Sequence, residues 1–209
     1  MRFSEEKINR LRECVRRSMS DFRFVHTAEV EKMAARIALI YAPESIDILR
    51  VAALLHDITK EYSPEMHIKM LGDYGETVSK LDRLSYKTLH ERTAPYAIKE
   101  RYPEFADDNV LCAVRYHTTG RADMSLCEKI IFLADYIDMS RKFDDCVYLR
   151  DYFWSADPET MSESERAEHL DKTLILAFDM TIKALIDEKC PISAETFEAR
   201  NHLVAGLCR

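Results

Sequence analysis

Apolar residues along this chain return every three or four positions, the spacing of helices with one buried face, and nowhere alternate as strands do. Residues 4–19 carry Ile8, Leu11 and Val15 at that spacing. From about Phe24 to Tyr41 the stripe is Val30, Met33, Ala34, Ile37 and Tyr41. A short helix is expected after Pro43, with Ile46, Leu49, Ala52 and Ala53 on one side. The polar stretch from Glu61 to Tyr86, interrupted by Pro64, Gly72 and Gly75, predicts two short helices joined by loops.

A further helix is expected over 88–101, with Pro95 either kinking it or marking its first turn. Residues 107–117 follow, with Val110, Ala113 and Val114 on one face, and His117-Thr-Thr-Gly-Arg121 breaks the pattern as a loop. Ser125 and Glu128 fit a capping box that opens a helix through Ile130, Ile131 and Ala134 to about Met139. Residues 140–160 are aromatic and polar and read as an irregular connector. A long amphipathic helix over 163–188 uses Leu170, Leu174, Phe178, Ile182 and Leu185; Pro191 stops it, and a short helix closes the chain near 193–207. The expected fold is all-α: one helical bundle over residues 1–145, with a connector and C-terminal helices over 146–209 packing on it.

Composition agrees with helices, since only four glycines and six prolines occur in 209 residues. A net charge of −7 argues against a protein that binds nucleic acid by neutralising phosphates over a wide surface. Six scattered cysteines without a C-x-x-C pair read as reduced thiols of a cytoplasmic protein. No apolar run reaches membrane-spanning length, so no membrane partner is expected. The long amphipathic helix leaves a homodimer surface open as one use, with packing inside the chain as the other.

The histidines and aspartates carry the chemistry. His26 precedes Val30 by one turn, His56 follows Ala52 and Ala53, and His117 follows Ala113 and Val114. His90 aligns with Ala94 and Ala97, and Asp135 with Ile131 and Cys127. Each therefore lies on an apolar face near a helix end, where an unpaired ionisable group is costly. Gathered around a cation, the same groups become ligands, and His56-Asp57 supplies two kinds from adjacent positions. Imidazole with carboxylate suits iron, manganese or zinc better than magnesium or calcium. His169 and His202, in the polar C-terminal part, are expected to be solvated.

The order His, His-Asp, His, His, Asp resembles the HD superfamily of metal-dependent phosphohydrolases. Arg23-Phe-Val-His26-Thr27, Ala53-Leu-Leu-His56-Asp57-Ile-Thr-Lys60, Arg115-Tyr-His117-Thr-Thr-Gly120-Arg121 and Leu126-Cys-Glu-Lys-Ile-Ile-Phe-Leu-Ala-Asp135-Tyr-Ile-Asp138 narrow it to the YqeK-type branch. Those bacterial hydrolases split diadenosine tetraphosphate symmetrically into two ADP with a two-iron centre. The resemblance covers residues 20–145. It implies one metal on His26, His56, Asp57 and Asp135 and a second on Asp57, His90 and His117, with Asp57 bridging. One departure is Met139-Ser140 before Arg141, where the family usually has Pro-Gly.

The expected reaction is attack of a metal-activated hydroxide on an inner phosphorus, with Asp57 holding both metals. Lys60, one turn beyond Asp57, is the expected catalytic cation that balances polyphosphate charge, or else a solvated helix-end lysine. Thr118, Thr119 and Gly120 offer hydroxyls and backbone N–H groups to phosphate, or simply end a helix. Arg121 and Arg141 are further phosphate contacts or surface residues, and Arg23 is expected to orient the first ligand helix from behind. Tyr86, Tyr116 and Tyr136 read as packing residues. Alternative readings are an HD-type hydrolase of a deoxynucleoside phosphate or cyclic nucleotide, a metal-containing nucleotide sensor, and a metal-free helical interaction domain.

Overall fold

Two helices that carry candidate ligands open on capping serines. Ser20 caps the helix Asp21–Tyr41 by accepting the Arg23 N–H at 3.2 Å, and Ser125 with Glu128 forms the expected capping box on Leu126–Ile137. The computed structural model describes residues 2–208, among which lie eleven α-helices and no strand. In chain order they are α1 (Glu5–Ser18), α2 (Asp21–Tyr41), α3 (Ile46–Leu55), α4 (Pro64–Asp73), α5 (Lys80–Leu84), α6 (Leu89–Arg101), α7 (Asp108–Arg115), α8 (Leu126–Ile137), α9 (Asp144–Ser155), α10 (Glu163–Asp187) and α11 (Ala194–Leu207).

The helices α2, α3 and α8 pack together, α3 and α8 also meet α7, and α6 packs on α7. Val30, Ala34 and Ile37 of α2 face Leu49, Ala52 and Ala53 of α3 in one core, all of them fully buried. The small residues of α3 let the neighbouring backbones approach, which draws the ends of α2, α3, α7 and α8 toward one point. The core continues without a break into the C-terminal helices through Phe153, Leu170, Leu174, Phe178, Ala199 and Leu203. Truncating Leu174 would cost about 2–5 kcal/mol for a leucine so enclosed.

Several expectations change. Residues 144–155 of the expected connector form α9, because Cys146, Leu149 and Phe153 follow helical spacing and are buried. Aromatic density masked that stripe. His169 is buried at 8% exposure, stacked on the Phe153 ring with Nε2 3.0 Å from the Phe153 carbonyl. Burial of α9 explains this, since His169 packs on a helix the sequence pattern did not predict. His202 is exposed as expected. Pro95 lies inside α6 and not in its first turn, and α7 ends at Arg115, leaving His117 in the turn beyond. The predicted face of α10 runs past the core, so Ile182 and Leu185 are only half-buried. Among the described residues no helix is long and apolar enough to cross a membrane.

Candidate metal centre

Helix ends deliver three imidazoles through the same hydrogen bond. His56, at the C-terminus of α3, donates from Nδ1 to the Ala53 carbonyl at 2.7 Å. His117, just past α7, donates to the Val114 carbonyl at 2.6 Å, and His90, at the start of α6, to the Lys87 carbonyl at 2.9 Å. A carbonyl oxygen can only accept, and those of Ala53 and Val114 lie at helix C-termini, where the helix offers no partner. Each neutral ring therefore carries its proton on Nδ1 and turns the Nε2 lone pair inward. His26 of α2 uses a carboxylate for the same purpose, with Nδ1 3.3 Å from Asp138 Oδ2.

Asp57 stands between two groups of these nitrogens. Its Oδ2 lies 3.8 Å from His26 Nε2 and 3.6 Å from His56 Nε2. Its Oδ1 lies 3.2 Å from His90 Nε2 and 3.8 Å from His117 Nε2. Asp135 closes the first group, with Oδ1 3.0 Å from His26 Nε2 and 3.7 Å from His56 Nε2. Donor atoms of His26, His56 and Asp57, of Asp57, His90 and His117, and of His56, His117 and Asp135 each fall within 4.8 Å of one another.

Burial and neighbouring charge set the protonation states. Burial pulls His56 down to about 4, and burial with the Lys60 ammonium holds His90 well below its usual value. Burial also works against His26, but the Asp135 and Asp138 carboxylates beside its two nitrogens outweigh it and raise the ring to about 9. His117 is raised as well, burial being outweighed by its Asp57 contact. Asp57 and Asp135 stay well below the ordinary carboxylate range despite burial. His56 and Lys60 do this for Asp57, and Arg141 with His26 for Asp135.

These residues fit metal ions. Nε2 of His26 and of His56 is buried with no hydrogen-bond partner. Nε2 of His90 faces Nε2 of His117 at 2.9 Å, although both rings already donate through Nδ1. With both rings neutral two lone pairs face one another, an arrangement that a shared cation relieves, and imidazole with carboxylate is a donor set for transition metals. The Lys60 ammonium, 3.1 Å from His90 Nε2 and 3.9 Å from Asp57 Oδ1, supplies part of that positive charge.

The surrounding residues divide into those that face the cluster and those that brace it. The Thr118 hydroxyl is half-buried and 3.3 Å from His90 Nε2, open toward the cluster with Lys60. Arg23 donates to Asp57 Oδ2 at 2.7 Å, and Arg141 donates to Asp135 Oδ1 at 2.6 Å and pairs with Asp138 at 3.3 Å. Both arginines thus hold candidate ligand carboxylates. Arg121 is paired with buried Glu128 at 2.7 Å, and Thr119 is buried with its hydroxyl on Glu91 at 2.8 Å. Gly120 has φ +66°, and a Cβ there would come within 2.6 Å of the Phe178 ring, so glycine serves packing.

Three buried groups near the centre escaped the periodicity argument. Asp138, just past α8, orients His26; its position one turn after Asp135 was the available signal. Glu91 follows His90 and shares helical spacing with Ala94 and Ile98. His67 of α4 joins Thr93, which bonds Thr59 beneath the His90 carbonyl.

Comparison with known proteins agrees with this geometry. The family model described as "HD domain" matches residues 23–140. The chain is 31% identical to the symmetrical bis(5'-nucleosyl)-tetraphosphatase of Halalkalibacterium halodurans, over 91% of this chain and 93% of that protein. The Bacillus subtilis protein of the same name is 28% identical, over 92% of this chain and 95% of that protein. A crystal structure from Clostridium acetobutylicum, described as a predicted HD superfamily hydrolase involved in NAD metabolism, matches with a TM-score of 0.80 at 32% identity, covering 98% of both chains. With the match spanning more than half its length and the cluster in place, this chain belongs to the HD domain family.

Proposed function

We propose that this chain is a metal-dependent phosphohydrolase that cleaves diadenosine tetraphosphate symmetrically into two ADP. The observation that carries the metal chemistry is Asp57, whose two oxygens face separate imidazole pairs. The substrate assignment rests on the names of the two tetraphosphatases. In this reading His26, His56, Asp57 and Asp135 hold one metal, and Asp57, His90 and His117 hold the second. Iron is the favoured metal, and manganese or zinc accept the same ligands. Bound there, the metals supply Lewis acidity toward phosphoryl oxygens and bring the pKa of water down to about 7.

The chain's own residues supply the rest. Nδ1 hydrogen bonds keep His56, His90 and His117 in the ligating tautomer, while Asp138 does so for His26. Arg23 and Arg141 hold Asp57 and Asp135 in place. Lys60 gives its charge to the polyphosphate, with the Thr118 hydroxyl as a neighbouring donor. Thr119, Gly120 and Arg121 contribute through the shape of the loop, since their polar groups already have partners or face packing. Free cysteines throughout suit a reducing cytoplasm. A homodimer remains part of the proposal, to be read from the mass in solution.

Anaerobic purification, metal quantification and product analysis on one sample test the reading. About two metals per chain, as two-metal hydrolysis requires, with ADP as sole product is the expected result. ATP with AMP, or turnover confined to other nucleotides, would overturn the substrate. Dinucleotides related to NAD belong in that panel, given the description of the Clostridium acetobutylicum protein. Absence of bound metal would overturn the chemistry itself.

A further inference from the structure

Glu91 is 1% exposed and follows the ligand His90, yet its carboxylate turns away from the cluster, toward the loop after α7. Its Oε2 accepts the backbone N–H of Thr118 at 3.1 Å and of Thr119 at 3.0 Å, and its Oε1 accepts the Thr119 hydroxyl at 2.8 Å. Two successive amides and a hydroxyl thus converge on one carboxylate. Arg115 extends the contact outward. Its guanidinium lies 3.6 Å from Glu91 Oε1 and donates to Glu195 Oε1 of α11 at 3.0 Å. The other Glu195 oxygen is 3.1 Å from the Thr119 hydroxyl.

A second contact bears on the same loop from the same helices. Gly120 lies under Phe178 of α10 and Ala199 of α11, where a Cβ would meet them at 2.6 Å and 3.0 Å. The loop from His117 to Gly120 is therefore clamped by a buried carboxylate on α6 and by the apolar face of the C-terminal pair. His117 belongs to the second group of candidate ligands, and Thr118 faces His90.

We propose that Glu91 is a positioning residue for the second metal site. With Arg115 and Glu195 it forms a latch through which the C-terminal helices hold His117 opposite His90. The latch rests on the metal-centred reading above, but not on the identity of the substrate. It gives residues 146–209 a role at the site, although none of them enters the ligand cluster. It also predicts unequal dependence, because no group of the first site touches Glu91.

The test replaces Glu91 in the full chain and reads two quantities besides activity. The first is metal content during titration with manganese(II), and the second is amide hydrogen exchange at Thr118 and Thr119 in metal-free protein. Glu91→Ala should release the second metal at about ten- to hundredfold higher free manganese, the range for losing a partner behind a ligand, while the first stays bound. Exchange at the two amides should accelerate, and kcat should fall with the second metal. Glu91→Gln keeps an acceptor for the amides and should recover most of the second site. A general loss of stability would release both metals together, and neither variant would be rescued by the other's chemistry.

Unchanged loading and unchanged exchange in folded Glu91→Ala would overturn the latch. Should that variant fail to fold, Thr119→Val and Glu195→Ala carry the same test. Selective loss of the second metal supports the proposal, and wild-type behaviour of both overturns it. Wild-type protein that binds no manganese would instead sink the metal reading, while the exchange rates still report on the latch.

Discussion

The two halves of the candidate metal cluster are built differently. His26, His56 and Asp135 come from α2, α3 and α8, helices that share the centre of the core; the outer atoms of His26 and Asp135 meet charged partners, while His56 rests on the Ala53 carbonyl. Asp138 backs His26, and Arg141 holds Asp135. His90 and His117 come from the start of α6 and the turn after α7, and backbone carbonyls hold their Nδ1 atoms. The first half is carried by packed helices; the second depends on a loop that must be held. A core of rigid helices can preform a ligand set, whereas ligands at helix ends need bracing from elsewhere. Asp57 joins the halves, with one oxygen in each.

Asp57→Ala is the most severe way to break the comparison, because it removes a ligand from both halves at once. Polarisation by the metals is worth several kcal/mol, so turnover should fall by about a thousandfold, equivalent to about 4 kcal/mol of barrier. Metal analysis beside the rate assay checks it. Retention of one firmly bound metal together with high activity would show that the halves act independently, and would sink the bridging role.

Asp138→Asn probes the first half alone. The side chain keeps its shape but loses the negative charge facing His26 Nδ1, which orients the ring and raises its basicity. The expected result is a ten- to hundredfold weaker first site, roughly the effect of removing such a partner, with the second site unchanged in a competition titration. Equal weakening of both sites would mean that the cluster responds as one unit.

The same division explains how much could be read from the chain. His26, His56, His90 and His117 sit at helical spacing from alanines and valines, and Asp135 from Ile131 and Cys127, and period alone placed each on a buried face. Their convergence follows, because buried faces of one bundle meet. Asp138 and Glu91 resisted that argument for different reasons. Asp138 lies past the end of α8, where spacing no longer specifies direction. Glu91 does share a stripe with Ala94 and Ile98, but a glutamate beside a ligand gives no sign of which loop it will grip. His67 was passed over because a polar helix around it hides its burial. α9 was lost to its aromatic content, and with it the burial of His169. Partners that are distant in sequence, such as Arg115 with Glu195, depend on packing of the C-terminal helices and leave no local pattern.

Lys60→Met should give the smallest effect and the sharpest contrast between halves. The ammonium lies within reach of His90 Nε2 and Asp57 Oδ1, inside the second half, and none of its contacts reaches His26 or Asp135. There it does two opposed things. It offers positive charge to a polyphosphate, and it occupies space and charge that a second metal would otherwise use. Methionine keeps the length and removes the charge, so KM should rise by about tenfold, or about 1.4 kcal/mol of lost binding. Affinity for the second metal should stay level or increase, because a competing cation has gone. Substrate kinetics and a manganese titration on one preparation read both signs. A parallel loss of metal and substrate would mean that Lys60 supports the ligands, and its assignment to the polyphosphate would fall.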